Sequence, residues 1–474
     1  MRPVTKECMD AKDQIIAELR QQIEMLFKRI AQLEEEVSRL KKDSHNSSKP
    51  PSSDIVKHRQ PPVGRRKRKR GGQQGHTKFS RQPFEPEEVD ETFEYELPEQ
   101  DAKGLTALDQ WRIIQQIVLP DKMYKVIEHR ARKYIDPVTG RIHIASLPDE
   151  VRKGGLLGAD MTAFVSFMKG ACHLSYTTIE QFFEQVMQLN LSRGMLCKAA
   201  QKVSDALKCS YDELADCLPY EPQVNIDETG HHDNGVLHWT WCFDTKRYSL
   251  FRIDPSRGSG VLEEMLGKAF TGIIGADYWG AYRKYARLFG VRLQYCMAHL
   301  IRDIRFLAEH SVQKLSRWGV KLLAWLKKMF DTLHRRDKLT ASGFIRSTER
   351  IKTGFLKRMR RPPDHPLAKK LARRFKGKAA ADYFRFLTEP DMEPTNNGTE
   401  RQIRPVVIDR RITQGTRGQA GMRWCERIWT TIATCKKQNR NVFDFIHQSV
   451  MAHWCNTQVG LRHKKHLSLI CQKL

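Results

Sequence analysis

The chain has 474 residues, 40% hydrophobic and 29% charged, which suits several packed units and argues against wholesale disorder. Its 82 Lys and Arg against 55 Asp and Glu leave a net charge of +27, which favours a polyanionic partner such as nucleic acid. No apolar run reaches the length of a membrane span, the first residues lack the apolar core of a secretory signal, and the 11 cysteines form no Cys-x-x-Cys pair. We therefore expect a cytoplasmic protein with reduced thiols and no membrane partner.

Residues 9–42 carry a heptad pattern, which predicts a leucine-zipper coiled coil. β-Branched residues alternate with leucines at spacings of three and four, the combination that favours a parallel two-stranded coiled coil. The seam positions are Ile16, Leu19, Ile23, Leu26, Ile30, Leu33, Val37 and Leu40. A single amphipathic helix folded onto the body is the alternative, although its apolar stripe is normally wider. The pattern thus favours a homodimer or higher oligomer.

A disordered basic linker is predicted over residues 43–83, which are rich in proline and serine. Residues 41–80 contain 12 Lys or Arg and 2 Asp or Glu, and the densest run is Arg65, Arg66, Lys67, Arg68, Lys69 and Arg70. Runs of this kind bind phosphates, so these six side chains are candidate DNA contacts. The run follows the heptads across a flexible linker, unlike a basic-zipper regulator, whose basic helix leads directly into its zipper.

The sequence predicts strands first and then helices over residues 84–220. Residues 84–150 alternate short polar and apolar runs, which predicts a small β-rich module. Residues 151–220 predict helices, one over 178–187 and another opening at the N-cap Ser192, which suits either a helix-turn-helix reader of DNA or an ordinary helical bundle.

Residues 221–445 predict a mixed α/β layer fold. A strand over 223–226, a hairpin over 237–253 and strands over 272–276 and 291–295 alternate with helices. A basic helical insertion is expected at about 311–390, and a basic C-terminal tail at 446–474.

Three acidic residues stand at strand ends or a helix start: Asp227, Asp277 and Glu400. Ligands bind at the carboxyl ends of strands in layered α/β folds. Asp277 follows Asp227 by 50 positions and Glu400 follows Asp277 by 123, but all three carboxylates are candidates to converge at that end of the sheet. Without neutralising partners they would repel one another unless cations lay among them, and oxygen ligands select Mg²⁺ or Mn²⁺. Other roles stay open: Asp277 as a helix N-cap, Glu228 as the relevant acid instead of Asp227, or Glu400 paired with Arg404.

Four segments in this order resemble the DDE transposases of the insertion-sequence-66 group. They are Ile226-Asp227-Glu228-Thr229-Gly230, Ala276-Asp277-Tyr278-Trp279, Cys296-Met297-Ala298-His299-Leu300-Ile301-Arg302 and Thr395-Asn396-Asn397-Gly398-Thr399-Glu400-Arg401-Gln402-Ile403-Arg404-Pro405. The heptad segment, the linker Asn46–Asp54 and Gly71–His76 resemble that group too, so the similarity runs from about residue 12 to about 445. The Asn-Asn pair followed by Glu-Arg is its most specific element.

The resemblance implies a ribonuclease-H-like mixed-sheet core with a helical insertion, in which Asp227, Asp277 and Glu400 bind two Mg²⁺ or Mn²⁺ ions. It implies cleavage at the terminal inverted repeats of an insertion sequence and transfer of the freed strand to target DNA, with accessory proteins of the same element as possible partners. It also makes His299, Arg302, Asn396, Arg401 and Arg404 candidate DNA contacts, with Arg suited to phosphates. Asn396, one helical turn before Glu400, is alternatively an orienting residue, and His299 and Arg302 are alternatively an ordinary buried histidine and surface arginine.

One departure from the family concerns zinc. Family members usually carry a cysteine-paired zinc module ahead of the helical region, but this chain has no cysteine between Cys8 and Cys172. Asp136 and Thr139 stand where one cysteine pair is expected, so we expect a degenerate module without structural zinc. Cys296-x-x-His299 is half of a zinc pattern with no second half.

The sequence therefore predicts a nucleoid-associated DDE transposase acting on double-stranded DNA. Two alternatives stay open: a catalytically inactive DNA-binding protein derived from a transposase, and a ribonuclease-H-like nuclease that cuts structured nucleic acid without joining it.

Overall fold

The computed structural model describes residues 6–40, 82–106, 109, 111–389, 391–457 and 459–461. The predicted basic run from Arg65 to Arg70, the rest of the linker up to residue 81 and the last residues of the predicted tail, 462–474, lie outside the described residues. The chain divides into two compact units, residues 1–55 with 129–474 and residues 56–128. Within the described ranges, no helix is both long and apolar enough to cross a bilayer.

Helix α1 spans Lys6–Leu40, so the predicted heptads lie on one continuous helix. The side chain of Leu40 falls outside the described part, but the other seven seam residues are 44–62% exposed. The leucine and β-branched side chains therefore form a narrow, solvent-exposed stripe along a helix whose other positions are mostly polar. Pairing of this seam with a second copy remains a prediction.

The region predicted to be β-rich holds little regular structure in its described part. Residues 84–128 contain a single 3₁₀ turn at Pro86–Glu88 and the short helix α2, Glu99–Ala102. Strands β1, Lys133–Ile135, and β2, Ile142–Ile144, form an exposed antiparallel hairpin. In its turn, Asp136 accepts hydrogen bonds from the backbone N–H of Val138 and from the Thr139 hydroxyl, at 2.9 and 2.6 Å. The two residues that stand where a cysteine pair is expected thus close the turn by hydrogen bonds.

The main body begins with helices and continues as a sheet interleaved with helices. Its elements in chain order are α3 (Asp149–Gly154), α4 (Ala159–Gly170), α5 (Tyr176–Gln185), α6 (Arg193–Cys217), β3 (Gln223–Asp233), β4 (Val236–Asp244), β5 (Ser249–Asp254), α7 (Ser259–Leu266), β6 (Ile273–Ala276), α8 (Gly280–Phe289), β7 (Arg292–Tyr295), α9 (Met297–Ala308), α10 (Gln313–Leu333), α11 (Ala341–Met359), α12 (Pro366–Arg373), α13 (Asn397–Thr413), α14 (Gln419–Lys437) and α15 (Val442–Trp454). The expected mixed α/β class is confirmed, and α10 to α12 occupy the region of the predicted helical insertion.

The sheet has five strands in the order β5-β4-β3-β6-β7. Strands β3, β4 and β5 form an antiparallel meander, whereas β6 and β7 continue the sheet parallel to β3. The predicted hairpin is confirmed, with Asp244 opposite Ser249 at its turn. The predicted end of the first strand is wrong: β3 continues to Asp233 because β4 pairs with it throughout, although its pairing with β6 stops at Asn225.

Helices α13 and α14 attach the end of the chain to the sheet. Helix α13 packs on β3 and β4, and α14 packs on β5. Side chains of α14 also accept hydrogen bonds from the edge strand: Glu426 from Ile253 N at 2.7 Å and Thr430 from Phe251 N at 3.0 Å. These contacts satisfy backbone donors that a bare sheet edge leaves unpaired.

The helices of residues 151–220 share one hydrophobic core with the sheet. Helix α6 begins after Ser192, whose hydroxyl accepts from Met195 N, as the sequence predicted for an N-cap. It packs on α14 and on α15. Helix α15 buries Phe445, Ile446 and Val450 and therefore crosses the expected boundary between domain and tail at residues 445 and 446. The prediction that the tail begins at residue 446 is therefore wrong, because the apolar face of α15 packs into the core.

Candidate active site

Asp227 lies within β3, opposite Cys242 of β4. On the other side, β3 pairs in register with β6, Val224 facing Ile274 and Asn225 facing Gly275. Extended by two residues, this register sets Asp227 opposite Asp277, the first residue after β6, and the charge of Asp277 is one cause of the raised pKa of Asp227. The two residues therefore lie at the same end of neighbouring parallel strands, where ligands of α/β folds commonly bind.

Asp277 is partly engaged in the turn that leads into α8. One of its carboxylate oxygens accepts a hydrogen bond from the backbone N–H of Trp279 at 2.9 Å. This bond resembles the alternative helix-capping role, although the helix itself begins at Gly280. The turn fixes the Asp277 side chain beside Asp227 and leaves its second oxygen to other partners.

Glu400 reaches the same place from the first turn of α13. The start of that helix is tied to the sheet by Asn396, whose side-chain amide donates to the carbonyl of Ile226 at 2.9 Å. The amide oxygen of Asn396 accepts from the Thr399 hydroxyl at 2.7 Å, and its backbone N–H donates to Cys296 Sγ at 3.2 Å. Asn396 is only 3% exposed. The prediction that it contacts DNA is therefore wrong in this conformation, because its amide is buried and used inside the protein.

The charge of Glu400 has a neutralising partner, which the sequence argument did not foresee. Nη2 of Arg302 on α9 lies 3.0 Å from Glu400 Oε1, and Nε2 of His299 lies 3.9 Å from the same oxygen. The alternative pairing with Arg404 on the same helix is not adopted among the described side chains. Arg302 is thus neither a free surface arginine nor a free phosphate ligand, since α9 and α13 converge and place it against Glu400.

Burial and mutual repulsion disturb the titration of this cluster. Burial, and then the charges of Glu228, Asp277 and Glu400, raise the pKa of Asp227 well above its usual value. Burial and then Glu228 raise the pKa of Asp277 to about 6. For His299, burial and then the charge of Arg302 lower the pKa to about 4, so this imidazole is neutral at pH 7. The charges of Asp277 and Glu400 are both among the causes that raise the pKa of Asp227, so both carboxylates lie within electrostatic range of Asp227.

Glu228, the alternative acid beside Asp227, is fully engaged elsewhere. Its carboxylate accepts a hydrogen bond from Nε of Arg257 at 2.8 Å and another from the Tyr282 hydroxyl, and Nη2 of Arg257 forms an ion pair with it at 2.8 Å. Its side chain is 2% exposed. Because a guanidinium already balances this buried charge, Glu228 is a structural anion, and Asp227 is the acid left to act at the site.

Helix α13 also carries a row of exposed arginines, the α13 basic stripe: Arg401, Arg404 and Arg411. Their spacings of three and seven residues place them on one side of the helix that bears Glu400. The sequence prediction included Arg401 and Arg404 but missed Arg411. Helical spacing in the sequence could have identified it, since Arg411 follows Arg404 by two helical turns.

The part of the chain that the structure describes contains no preformed metal cage. Among the described residues, no group of three or more His, Cys, Asp or Glu side chains is arranged to hold an ion. Burial raises the pKa of the Cys296 thiol, which disfavours the thiolate that zinc requires. Asp227 and Asp277 are the pair whose oxygens best suit a hard cation, whereas Glu400 is held by Arg302.

Comparisons with known proteins place the candidate site within a known family. Residues 154–424 match the model of the transposase IS66 family, and residues 3–82 match a family of unknown function. The chain is also similar to a Sinorhizobium fredii protein described as uncharacterized protein y4qI. The two are 22% identical over 396 residues, which cover 77% of this chain and 72% of that protein. The matched family segment contains all three gathered carboxylates.

Proposed function

The chain belongs to the transposase IS66 family, and from this premise we propose that it binds the terminal inverted repeats of an insertion sequence and catalyses DNA cleavage and strand transfer. The proposal is supported by the parallel register of β3 and β6, which sets Asp227 opposite Asp277, and by the charges of Asp277 and Glu400, which help to raise the pKa of Asp227. A net charge of +27 and the α13 basic stripe supply attraction for a DNA backbone.

The proposed core is ribonuclease-H-like. Its support is the strand order, in which a three-stranded antiparallel meander continues through β6 and β7 as parallel strands connected by a helix. The candidate carboxylates lie on β3 and directly after β6, the two neighbouring strands where the antiparallel and parallel parts of the sheet meet. That junction is where ligand sites of open α/β sheets commonly lie.

Two divalent ions, Mg²⁺ or Mn²⁺, belong to this proposal. Asp227 and Asp277 fit such an ion because burial, and then the negative charges of neighbouring carboxylates, raise the pKa of both groups, and a cation would favour their ionised forms. Glu400 fits only after it exchanges Arg302 for the ion. When bound, the metal would supply Lewis-acid activation of the phosphodiester and of the attacking oxygen.

The chain's own residues would position the reactants. In cleavage, a water oxygen forms a bond to phosphorus while the bond to the 3′ oxygen breaks, leaving a 3′ hydroxyl. In transfer, that hydroxyl attacks a target phosphodiester, and the target's own 3′ oxygen leaves. Asp227 and Asp277 would align these oxygens, Arg401 and Arg404 would bind neighbouring phosphates, and Arg302 is placed to bind a phosphate once it leaves Glu400.

The test is a comparison of binding with cleavage in the Asp227→Asn variant. We expect near-normal affinity for terminal-repeat DNA and no divalent-ion-dependent nicking, since the change removes a carboxylate charge and preserves shape. Asp216→Asn, at an exposed carboxylate of α6, is the matched control and should cleave normally. Cleavage retained by Asp227→Asn would remove Asp227 from the mechanism.

A second candidate function is an inactive DNA-binding protein derived from a transposase. The Arg302–Glu400 ion pair favours it, because it withholds one carboxylate from a metal site. The same nicking assay distinguishes the two functions. DNA binding by the unaltered chain without any nicking would support the inactive DNA-binding protein. Strand-transfer products would exclude a nuclease that only cuts.

A further inference from the structure

An exposed tryptophan stands directly beside the gathered carboxylates. Trp279 is 42% exposed, which is unusual for so large an aromatic side chain. Its backbone N–H donates to the carboxylate of Asp277 at 2.9 Å, so the indole and the acid are held in the same turn. The indole is therefore carried by the same turn that holds the Asp277 carboxylate.

The ring is supported by a guanidinium. The centre of the Arg257 guanidinium lies 4.2 Å from the ring centroid of Trp279 and 4.5 Å from that of Trp239, within the range of cation–π contacts. Arg257 is itself anchored by a hydrogen bond and an ion pair to the buried carboxylate of Glu228. The Trp279 indole is thus a braced, partly exposed surface rather than a loosely attached side chain.

We propose that Trp279 is a stacking platform for an unpaired nucleobase next to the phosphate that lies at Asp227 and Asp277. This inference rests on the proposed function, which supplies the DNA end. The negative π-face of an indole does not attract a phosphate, although its N–H edge can donate to one, whereas every base offers a π-face to an aromatic side chain. Bases inside an intact duplex are stacked on both sides, so the ligand is a base at a frayed or single-stranded end.

Photocrosslinking tests this stacking without relying on cleavage. The probe is a DNA duplex with a three-nucleotide 3′ extension of 5-iododeoxyuridine, mixed with the full chain in Mg²⁺ buffer, irradiated, and mapped by peptide mass spectrometry. We expect the extension to crosslink to Trp279. Trp279→Ala should lose that crosslink and bind the extended duplex about tenfold more weakly, while its affinity for the blunt duplex stays unchanged.

Two further variants serve as controls. Trp279→Phe keeps an aromatic face and should retain most of the affinity for the extended duplex. Trp111→Ala removes another exposed indole, 55% exposed, and should leave the Trp279 crosslink in place. Far-UV circular dichroism verifies that each variant is folded.

The proposal is overturned if the extended duplex binds and crosslinks only elsewhere, or if Trp279→Ala binds both duplexes like the unaltered chain. A change in molar mass of Trp279→Ala with unchanged DNA affinity would likewise overturn it and assign the indole to a protein contact. The nicking assay on the unaltered chain separates failure of this proposal from failure of the proposed activity. A normal crosslink together with absent nicking by the unaltered chain supports the platform while refuting the transposase chemistry.

Discussion

The guanidinium of Arg302 lies 3.0 Å from the carboxylate of Glu400, a residue 98 positions away in the chain. The pair joins α9 to α13 at the candidate active site, and the two side chains are 21% and 36% exposed. Partial exposure means that solvent screens the attraction, so the pair is a modest constraint that a competing cation or phosphate can displace.

The first prediction concerns this pair. Arg302→Ala should bind Mn²⁺ in the absence of DNA about two- to tenfold more tightly, because it removes the positive charge that competes for Glu400. Isothermal titration calorimetry measures the affinity. Arg292→Ala breaks a similar ion pair with Glu389 at the opposite end of β7 and should leave Mn²⁺ affinity unchanged. Equal or weaker binding by Arg302→Ala would show that Arg302 does not compete with the metal.

Asn396 should act as a structural link between strand and helix. Asn396→Ala leaves the carbonyl of Ile226 without its donor and should lower the free energy of unfolding by about 1–3 kcal/mol. Urea denaturation provides the measurement. The neighbouring exposed residue offers a control, since Asn397→Ala should change stability by less than about 0.5 kcal/mol. Similar losses for both variants would contradict a special role for Asn396.

His231 should make stability depend on pH. It is 2% exposed and bonded to the Thr416 hydroxyl at 3.0 Å, and burial is the main cause that lowers its pKa to about 4. Between pH 4 and 6.5, His231 binds a proton in the unfolded chain but stays neutral in the folded chain. The resulting stability is present above pH 6.5 and is lost as the pH falls toward 4, by at most about 3 kcal/mol.

This dependence is measured as the difference in urea unfolding between the unaltered chain and His231→Gln at pH 7 and pH 5. The unaltered chain should lose more stability on acidification than the variant. Exposed His453→Gln on α15 is the control and should follow the unaltered chain. Parallel losses in all three proteins would rule out His231 as the titrating group.

The α13 basic stripe should appear in the salt dependence of DNA binding. If Arg401, Arg404 and Arg411 each bind a phosphate, replacing one with Ala should reduce the slope of log affinity against log salt by about 1. Fluorescence anisotropy with a duplex probe at several salt concentrations gives the slope. Arg346→Ala, an exposed arginine on α11, tests whether any arginine has this effect. A common slope for all variants would place the DNA elsewhere.

The half-exposed seam of α1 should mediate self-association. Replacing Leu26 and Leu33, which are 62% and 44% exposed, with Glu should produce monomers in light scattering while the far-UV signal of the main body persists. Met25→Glu, at an exposed position outside the seam, should leave the molar mass unchanged. An unchanged mass in the leucine variant would mean that these leucines do not join two copies.

The local pattern of the sequence was sufficient for α1, for the hairpin of β4 and β5, and for the helix start at Ser192. Each depends on periodicity, turn residues or capping, which are interactions between near neighbours in the chain. The same patterns placed Asp277 directly after β6 and Glu400 in the first turn of α13. The family was identified separately, from the resemblance of four sequence segments, and the family model that matches residues 154–424 agrees with it.

Tertiary structure alone decided the charge balance of the site. Arg302 against Glu400, Arg257 against Glu228 and Asn396 against Ile226 all join segments separated by tens of residues or more, and no local periodicity records such contacts. Likewise, β3 extends past Asp227 because β4 pairs with it as far as Asp233. Helix α15 is partly buried because its apolar face packs into the core. Sequence therefore determined which groups are available, and long-range packing determined which of them remain free to act.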